Sequence, residues 1–448
     1  MSKRGLDRAL EGYKELKEFE KVKLGIVKIS EGNISSVQKD IQNIQDIRKK
    51  LGKVTITELI EVLLAGALKI EASDIHFEPE EKSIRLRYRV DGILQDIMDV
   101  ELQNYVQILN RLKIVSGLKI NIHEAPQDGR FTIRMEDVDI EIRVSILPGG
   151  YGENIVMRIL DPRTIKQGIE ELGMRQDLLE EMKKQLKKTT GAILTTGPTG
   201  SGKTTTLYAF LQYVNEEGTK IITIEDPIEY HIKGISQTQT EPEKGYTFAN
   251  GLRAIVRQDP DVVLIGEIRD VETAEIALHA ALTGHLVFST LHTNDSAGTI
   301  PRLIDLGVKP QIIAPALNVA MAQRLIRQLC KECKKIDKPT AEQLQRIKIA
   351  LASLPKKVST KKMEDNLKIF NPVGCNKCNN TGYKGRIGIF EAFIINDDIE
   401  KLILGSPAIS EVRELAIKNG MVTMLQDGYL KVLEGITDMV EVERVTGL

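Results

Sequence analysis

The chain has 448 residues, more than one ordinary domain needs, so we expect about two to four domains. Hydrophobic residues make up 42% of it and charged residues 28%, which is the composition of a globular protein with a core of ordinary size. The 62 Lys and Arg residues nearly balance the 63 Asp and Glu residues, so no overall positive field exists to hold nucleic acid.

The beginning of the chain predicts neither a secretory leader nor a membrane span. No apolar run reaches the roughly 20 residues that cross a bilayer, so we expect a cytoplasmic protein that meets membranes only through docking. Residues 1–53 are rich in Lys and Glu and predict a charged helical segment, either a surface helix or a docking segment. Its apolar residues recur at helical spacing, at Leu6, Leu10, Tyr13, Leu16, Phe19 and Val22.

Residues 54–162 combine helical and strand patterns. A capping-box pattern at 55–58 (Thr-Ile-Thr-Glu) opens an apolar helix over 59–70. The alternating segment 84–90, the turn signal Asp91-Gly92 and the segment 93–98 predict a β-hairpin, and 139–144 predicts a further strand. These elements predict a small α+β domain that ends near Pro162.

Four short apolar runs then alternate with helical stretches, at 192–196, 221–224, 262–265 and 286–289. Near-continuous apolar strands alternating with helices predict a parallel sheet covered on both faces, here over residues 163–325. Residues 331–373 are polar and Lys-rich, which indicates an insertion, and residues 396–448 predict short helices.

A complete phosphate-binding loop follows the first of these strands and opens a helix. Its glycines let backbone N–H groups turn toward the phosphates, and the helix N-terminus adds positive potential. Lys203 is predicted to neutralise the β and γ phosphates, and the Thr204 hydroxyl to bind Mg²⁺. The predicted ATP contacts are Gly197, Pro198, Thr199, Gly200, Ser201, Gly202, Lys203, Thr204 and Thr205.

Two carboxylate clusters follow later strands, at 225–229 and at 266–270. Ligands of parallel sheets bind at the carboxyl ends of the strands, so we expect both clusters to serve ATP hydrolysis. Glu267 stands where a Walker-B carboxylate belongs, although Gly266 precedes it where many such proteins carry aspartate. The alternative for each cluster is ordinary solvated charge at a strand end.

Three of the six histidines fall within 14 residues. His292 follows the strand over 286–290, where it could sense the γ-phosphate or relay to a subunit interface, and a satisfied structural histidine is the alternative. A functional and a structural role are equally open for His285. The predicted helix over 274–282 favours a surface or interface position for His279.

All four cysteines fall into two Cys-x-x-Cys pairs separated by 41 residues, Cys330/Cys333 and Cys375/Cys378. Two such pairs in a protein expected to be cytosolic favour structural Zn²⁺ held by four thiolates over disulfides. A redox dithiol is the alternative, which the matched second pair disfavours. The predicted division is therefore 1–53, 54–162, 163–325, a tetracysteine subdomain at 326–395 and a helical region at 396–448.

Together these motifs resemble the secretion-superfamily ATPases that power type IV pilus assembly and type II secretion, over about residues 54–448. Segment 223–229 resembles the aspartate box of that family, 264–270 its atypical Walker B and 282–294 its histidine box. Further signatures lie upstream at 72–79, 89–92, 126–130 and 143–153, and downstream at 378–391 and 424–431.

The resemblance implies an α/β fold with a RecA-like P-loop core, a preceding small α+β (PAS-like) domain, a tetracysteine zinc insertion and a helical C-terminal region. It implies that Glu229 activates water and that Glu267 lies near Mg²⁺, and it accounts for Gly266, which the family has. Arg89 and Arg130 match positions that reach the phosphates when the domains close.

The resemblance also implies a ring hexamer in which domain rotation turns an inner-membrane platform protein, so that the motor associates with the membrane through partners. The cysteine pairs are typical of assembly and secretion motors rather than retraction motors, and pilus assembly is favoured over type II secretion. No direct nucleic-acid contact is expected. A P-loop nucleic-acid translocase and a non-hydrolytic scaffold are the alternatives. The long N-terminal domain of many relatives is expected to be absent or reduced to residues 1–53.

Overall fold

The computed structural model describes residues 26–27, 43–51, 56–135, 138–165, 168–356, 358 and 367–447. It divides the chain into two compact units, Met1–Pro162 and Arg163–Leu448. The predicted amphipathic segment from Leu6 to Val22 and the predicted capping residue Thr55 lie outside the described residues.

The first unit is built on a seven-stranded sheet. Its strands are β1 (Ile26–Val27), β2 (Asp74–Pro79), β3 (Ile84–Val90), β4 (Ile93–Val100), β5 (Gln127–Arg134), β6 (Asp139–Gly149) and β7 (Gly152–Leu160). The order across the sheet is β1-β5-β6-β7-β2-β3-β4, and every pair except β1–β5 is antiparallel. Its helices are α1 (Ile44–Leu51), α2 (Ile56–Lys69) and α3 (Leu102–Val115).

The hairpin β3–β4 shows how the sequence pattern builds this unit. The alternation in β3 buries every second residue, and the intervening arginines lie on the more open face. Asp91 and Gly92 turn the chain with φ angles of 50° and 82°, a left-handed backbone that glycine and aspartate tolerate best. The predicted hairpin is confirmed. Tyr88 is fully buried, and its hydroxyl donates to the Leu63 carbonyl of α2 at 2.7 Å.

The second unit contains a further seven-stranded sheet and a short two-stranded ribbon. Its strands are β8 (Gly191–Thr196), β9 (Ile221–Glu225), β10 (Ser236–Gln239), β11 (Val262–Ile265), β12 (Leu286–Leu291), β13 (Leu317–Leu329), β14 (Lys335–Asp337), β15 (Ile369–Asn371) and β16 (Tyr383–Ile394). The order across the large sheet is β10-β9-β11-β12-β8-β13-β16, and β14 pairs with β15.

Eleven labelled helices belong to the described part of the second unit. They are α4 (Gln176–Leu186), α5 (Lys203–Val214), α6 (Phe248–Val256), α7 (Val271–Leu282), α8 (Thr299–Asp305), α9 (Pro310–Ala316), α10 (Ala341–Leu351), α11 (Asp397–Leu404), α12 (Ile409–Lys418), α13 (Met424–Leu433) and α14 (Met439–Thr446).

The predicted parallel sheet is confirmed, because β8 to β12 pair in parallel and the strands β8, β9, β11 and β12 are buried along their whole length. Successive residues of β8 enter different core clusters: Ile193 packs with α4 and α5, and Leu194 packs with α6 and α7. The sheet is therefore covered on both faces, as the apolar runs predict.

The sheet extends beyond the predicted limits of the ATPase core. β13 pairs in parallel with β8 and antiparallel with β16, so the strands on either side of the cysteine insertion belong to the core sheet. The predicted boundary between residues 325 and 326 falls inside β13. Across the described residues, no helix combines the length and apolar character of a membrane span.

Candidate ATP-hydrolysing site

The phosphate-binding loop connects β8 to α5, and all three of its glycines have a positive φ, a backbone conformation that other residues rarely adopt. Gly197 has a φ of 149° and Gly202 a φ of 89°. A Cβ atom at Gly197 would lie 2.7 Å from the Gln323 carbonyl oxygen, a distance too short for any side chain. The Lys203 ammonium donates to the carbonyl oxygens of Gly197 and Pro198, at 2.7 and 3.2 Å.

Lys203 lies in a desolvated position among charged groups. Burial lowers the pKa of its ammonium, the Glu267 carboxylate acts in the opposite direction, and the Arg324 guanidinium lowers it further. A cation that has lost hydration gains from an anion brought to it. The loop is therefore electrostatically suited to a phosphate group.

The predicted motifs meet at one edge of the sheet because their strands run in parallel. β9, β11, β12 and β8 are consecutive neighbours, so their carboxyl ends lie side by side. The aspartate box begins in β9 and continues past its end, the Walker-B segment does the same at β11, the histidine box spans β12 and the P-loop follows β8. This is the edge at which open α/β sheets bind ligands.

Glu267 connects three of these motifs. One of its carboxylate oxygens forms an ion pair with Arg269, and the other lies 3.1 Å from Nε2 of His292. Arg269 also lies 3.7 Å from the Asp226 carboxylate, and its hydrogen bond to Glu267 raises its own pKa. The Walker-B segment is thus linked to the aspartate box by an ion pair and to the histidine box by a side-chain hydrogen bond.

Glu225, the last residue of β9, is a buried carboxylate that accepts hydrogen bonds from three side chains. The Tyr208 hydroxyl, the Thr223 hydroxyl at 2.5 Å and the Gln237 amide at 3.1 Å donate to it. Burial raises its pKa, and these donors act against that shift. Tyr208 lies on α5 and its hydroxyl also interacts with the backbone of Glu229, so α5 holds the aspartate-box turn. Glu229 itself is half-buried in that turn.

The three clustered histidines occupy different environments. His292 is the one joined to Glu267, with about half of its side chain exposed. His285 places Nδ1 3.0 Å from the Ala280 carbonyl at the end of α7, which is a structural contact. His279 is exposed on α7.

The predicted arginines lie in the first unit, in one row across its sheet. Register places Arg130 opposite Arg143 and Arg143 opposite Arg158, and Arg158 and Arg89 both flank Asp74. The buried Asp74 carboxylate lies 3.0 Å from Arg158 and 3.3 Å from Arg89. Arg130 is 74% exposed and 3.8 Å from Glu141. A contact of Arg89 or Arg130 with nucleotide stays a prediction.

Two residues of β13 lie close to the P-loop, and no sequence motif indicates either of them. The Gln323 amide donates to the Ser201 carbonyl at 2.8 Å, and the Arg324 guanidinium donates to the Asn294 carbonyl at 2.6 Å. They follow the loop by more than 100 residues and reach it because β13 pairs with β8. Only knowledge of this strand pairing would have identified these two residues, because no local sequence pattern reveals it.

The four cysteines form one cluster, with all Sγ atoms within 4.8 Å of one another. The Cys330–Cys375 and Cys333–Cys378 sulfurs are 3.9 and 3.8 Å apart. A tetrahedral zinc ion with Zn–S bonds of about 2.3 Å spaces its sulfurs by about 3.8 Å. Burial raises the pKa of the Cys333 thiol to about 12, and the neighbouring thiols add to this effect. A bound dication would remove that cost, so the donor set fits Zn²⁺.

The position of this cluster explains the long spacing between the pairs. Cys330 follows the end of β13, and Cys378 precedes the start of β16. The Cys330 N–H donates to the Gly382 carbonyl at 2.9 Å, and the N–H groups of Cys375 and Gly382 donate to the Cys378 sulfur. An ion there would pin two neighbouring core strands at the base of the insertion.

A family model described as "Type II/IV secretion system protein" matches residues 49–444. The chain is 42% identical over 411 residues to the type II secretion system ATPase E of Vibrio cholerae, covering 92% of this chain and 79% of that protein. It is 40% identical over 411 residues to the type IV pilus assembly ATPase PilB of Myxococcus xanthus, covering 92% of this chain and 71% of that protein.

Solved structures give the same fold. The pilus retraction motor PilT with bound ADP aligns with a TM-score of 0.57 at 26% identity, over 88% of this chain and 97% of that one. The Legionella pneumophila ATPase DotB aligns with a TM-score of 0.61 at 20% identity, over 86% of this chain and 95% of that one. The likeness to DotB concerns the fold alone.

Proposed function

This chain belongs to the type II/IV secretion system protein family and is an ATPase, and we propose that it couples ATP hydrolysis to the assembly of pilin-like subunits. The observation that carries the proposal is the meeting of four motif loops at the carboxyl edge of one parallel sheet, around a desolvated lysine. The family and the named relatives supply the ATPase activity, and the site supplies the groups that the reaction needs.

Binding begins with the phosphates of ATP at the N-terminus of α5. The backbone N–H groups of the loop residues Gly197 to Thr205, apart from Pro198, which has none, surround the phosphate oxygens, and the helix dipole adds positive potential. Lys203 exchanges its carbonyl partners, Gly197 and Pro198, for phosphate oxygens of greater negative charge. The exchange is favourable because charge-assisted hydrogen bonds are roughly twice as strong as neutral ones.

Hydrolysis requires a base for the attacking water. We assign this role to the Glu229 carboxylate, which takes a proton as the water oxygen bonds to the γ-phosphorus and the bond to the ADP oxygen breaks. The Thr204 hydroxyl and the Glu267 carboxylate are hard oxygen donors that would hold Mg²⁺, and the ion would supply positive charge to the phosphates. His292 holds one oxygen of Glu267 and would sense a change there when the γ-phosphate leaves.

The loop after His292 offers a route from this site to the C-terminal helices. Ser296 donates its N–H and hydroxyl to the buried Glu391 carboxylate, at 3.1 and 2.7 Å. The other oxygen of Glu391 accepts the N–H of Met424 at the start of α13, at 3.2 Å. Asp295 of the same loop is ion-paired with Arg413 of α12. A shift of the loop would therefore act on α12 and α13.

The proposed working form is a hexamer on the cytoplasmic side of the inner membrane, which turns a polytopic platform protein by domain rotation. Arg89 and Arg130 are proposed to reach the phosphates during this rotation. We favour pilus assembly over type II secretion as the process driven. Relatives named for both processes match at about 40% identity, so the cellular readout decides between them.

The experiment replaces the chromosomal copy by the Glu229→Gln variant and measures surface pili and secreted proteins in the same strain. Loss of pili with normal secretion is the expected result. Loss of secretion alone would assign the motor to type II secretion, and no change in either would contradict the proposal. The matched control is Arg346→Gln, which removes ion pairs to Glu342 of α10 and Glu443 of α14, far along the chain from the motif loops.

A further inference from the structure

Arg324 of β13 lies against the first glycine of the P-loop. Register pairs Ala322 with Thr196, the last residue of β8, so Arg324 continues the strand alongside the loop. A Cβ atom placed on Gly197 would be only 3.1 Å from Nη1 of Arg324. The same glycine offers its carbonyl oxygen to Lys203 at 2.7 Å. Two cationic side chains therefore approach one residue of the loop.

The known partners of Arg324 are neutral. Its Nη1 donates to the Gln323 carbonyl at 2.9 Å and its Nη2 to the Asn294 carbonyl at 2.6 Å. Among the residues that the structure describes, no carboxylate lies within the 4.0 Å of an ion pair with this guanidinium. Arg327, three residues further along β13, shows the contrast, because it pairs with the Glu441 carboxylate at 2.8 Å.

The carboxylates nearest to Arg324 are already engaged. Glu391 and Asp295 act on its pKa from longer range. Glu391 accepts the N–H and hydroxyl of Ser296, and Asp295 is ion-paired with Arg413. Burial is the larger influence and lowers the pKa of the guanidinium, as it does for the Lys203 ammonium. Lys203 and Arg324 are thus two poorly hydrated cations beside the loop, with little negative charge to compensate them.

Such an arrangement is costly unless an anion completes it. A guanidinium has five N–H donors in a planar fork, and the two hydrogen bonds that Arg324 makes leave donors over for further acceptors. Phosphate oxygens are the acceptors that an arginine fork matches best. A polyphosphate in the loop would offset the desolvation of both cations and the repulsion between them.

We propose that Arg324 is a second cationic ligand for the nucleotide, which binds the phosphates beyond the first together with Lys203 and so sets the preference for ATP over AMP. The inference rests on the proposed role of the P-loop in binding ATP. It assigns a phosphate contact to a strand residue of the same subunit, outside the four motif loops.

The test compares nucleotide binding by the purified full chain with Arg324→Gln and Arg324→Lys, using a fluorescent ATP analogue displaced by ATP, ADP or AMP. We expect Arg324→Gln to weaken ATP binding by about tenfold to a hundredfold, since a hydrogen bond to a charged group is lost, and to change AMP binding less than about threefold. Arg324→Lys should reduce the ratio of ATP to AMP affinity less than Arg324→Gln, because it keeps the charge and loses the fork. Arg346→Gln is the control and should bind as the wild-type protein does.

Equal weakening of ATP and AMP by Arg324→Gln would show that the side chain merely braces the Asn294 and Gln323 carbonyls, and would overturn the proposal. Unchanged ATP affinity would overturn it too. If Arg324→Gln does not fold, Arg324→Lys decides, and an unchanged ratio of ATP to AMP affinity then refutes the contact. Failure of the wild-type protein itself to bind ATP would remove the P-loop assignment, and the proposal with it.

Discussion

Thr196 and Thr293 are joined by three hydrogen-bond contacts, although 97 positions separate them in the chain. Their hydroxyl oxygens are 2.7 Å apart, and the Thr293 N–H donates to the Thr196 hydroxyl oxygen, also at 2.7 Å. Thr196 ends the strand before the P-loop, and Thr293 follows His292 directly. The P-loop and the histidine that contacts Glu267 are therefore held in a fixed position relative to each other.

Thr196→Val tests whether the Thr196–Thr293 link matters for catalysis. Valine has the same shape without the hydroxyl, so it leaves the Thr293 N–H unsatisfied at a cost of about 1–3 kcal/mol. We expect His292 to lose its fixed position, so that kcat for ATP hydrolysis falls about tenfold while KM changes little. Steady-state phosphate release measures both constants.

The neighbouring residue provides a matched control. The Thr195 hydroxyl is buried, and among the described residues it has no hydrogen-bond partner. Thr195→Val should therefore keep wild-type kcat and equal or exceed wild-type thermal stability, because it removes a buried polar group that gains nothing. Equal kcat values for the two variants would refute a role for the Thr196–Thr293 link.

Lys203→Ala and Glu229→Gln should separate ATP binding from hydrolysis. Removal of Lys203 takes away the cation that we predict to balance the β and γ phosphates, so we expect both binding and turnover to be lost. Glu229→Gln keeps the shape of the proposed base without its basicity. We expect this variant to bind ATP as the wild type does and to hydrolyse it about a hundredfold to ten-thousandfold more slowly.

Equilibrium binding of ATP and single-turnover phosphate release provide the two readouts. Wild-type phosphate release by Glu229→Gln would remove Glu229 from the role of base. Wild-type turnover by Lys203→Ala would contradict the assignment of Lys203. The purified 448-residue chain serves for both variants, with Arg346→Gln as the reference for an arginine or lysine change remote from the loop.

The sequence predicts which motif loops lie together at the sheet edge where the signal is local. The P-loop, the carboxylate clusters and His292 each follow a short apolar strand, and parallel strands with helices between them can meet only at a common edge. The cysteine pairs also predict a single cluster from local sequence, because two Cys-x-x-Cys pairs can together supply the four thiolates of one tetrahedral zinc site. Chain order and residue type are sufficient for these features.

The contribution of β13 could not be predicted, because it depends on a pairing between distant segments. Gln323 and Arg324 have no motif that relates them to a loop more than 100 residues earlier. Their position follows from the insertion of β13 between β8 and β16, which tertiary packing decides. The same pairing carries β16 into the core sheet, whereas the two cysteine pairs suggested a tetracysteine subdomain over residues 326–395.

The cysteine cluster should hold one zinc ion per chain. Elemental analysis of protein purified without chelator is expected to find about one zinc per chain, and Cys375→Ser should lower that content, because three thiolates bind the ion less tightly. Chelation should lower the thermal unfolding temperature, since the ion connects the ends of β13 and β16. Zinc well below one per chain in the wild type would contradict the four-thiolate site.

We expect the free energy of unfolding to decrease at acid pH through one buried carboxylate of the last helix, α14. Glu441 of α14 is fully buried and contacts Arg327 of β13 at 2.8 Å and Arg444 at 2.7 Å. Burial alone would raise its pKa, but the hydrogen bonds from Arg444 and Arg327 outweigh burial and lower it. A carboxyl whose folded pKa is depressed stabilises the fold above its unfolded pKa of about 4.3, and this contribution is lost as the pH falls through the folded pKa.

Glu441→Gln isolates this contribution. At neutral pH the substitution leaves the partly buried Arg327 without its carboxylate, and we expect a loss of about 3–5 kcal/mol in the free energy of unfolding. The gap between wild type and variant should narrow as the pH drops below the ordinary pKa of glutamate, since protonated Glu441 no longer pairs with either arginine. Thermal unfolding followed across that pH range measures the gap, with exposed Glu414→Gln as the control. A gap that stays constant down to strongly acid pH would mean that Glu441 supports α14 through packing rather than through its charge.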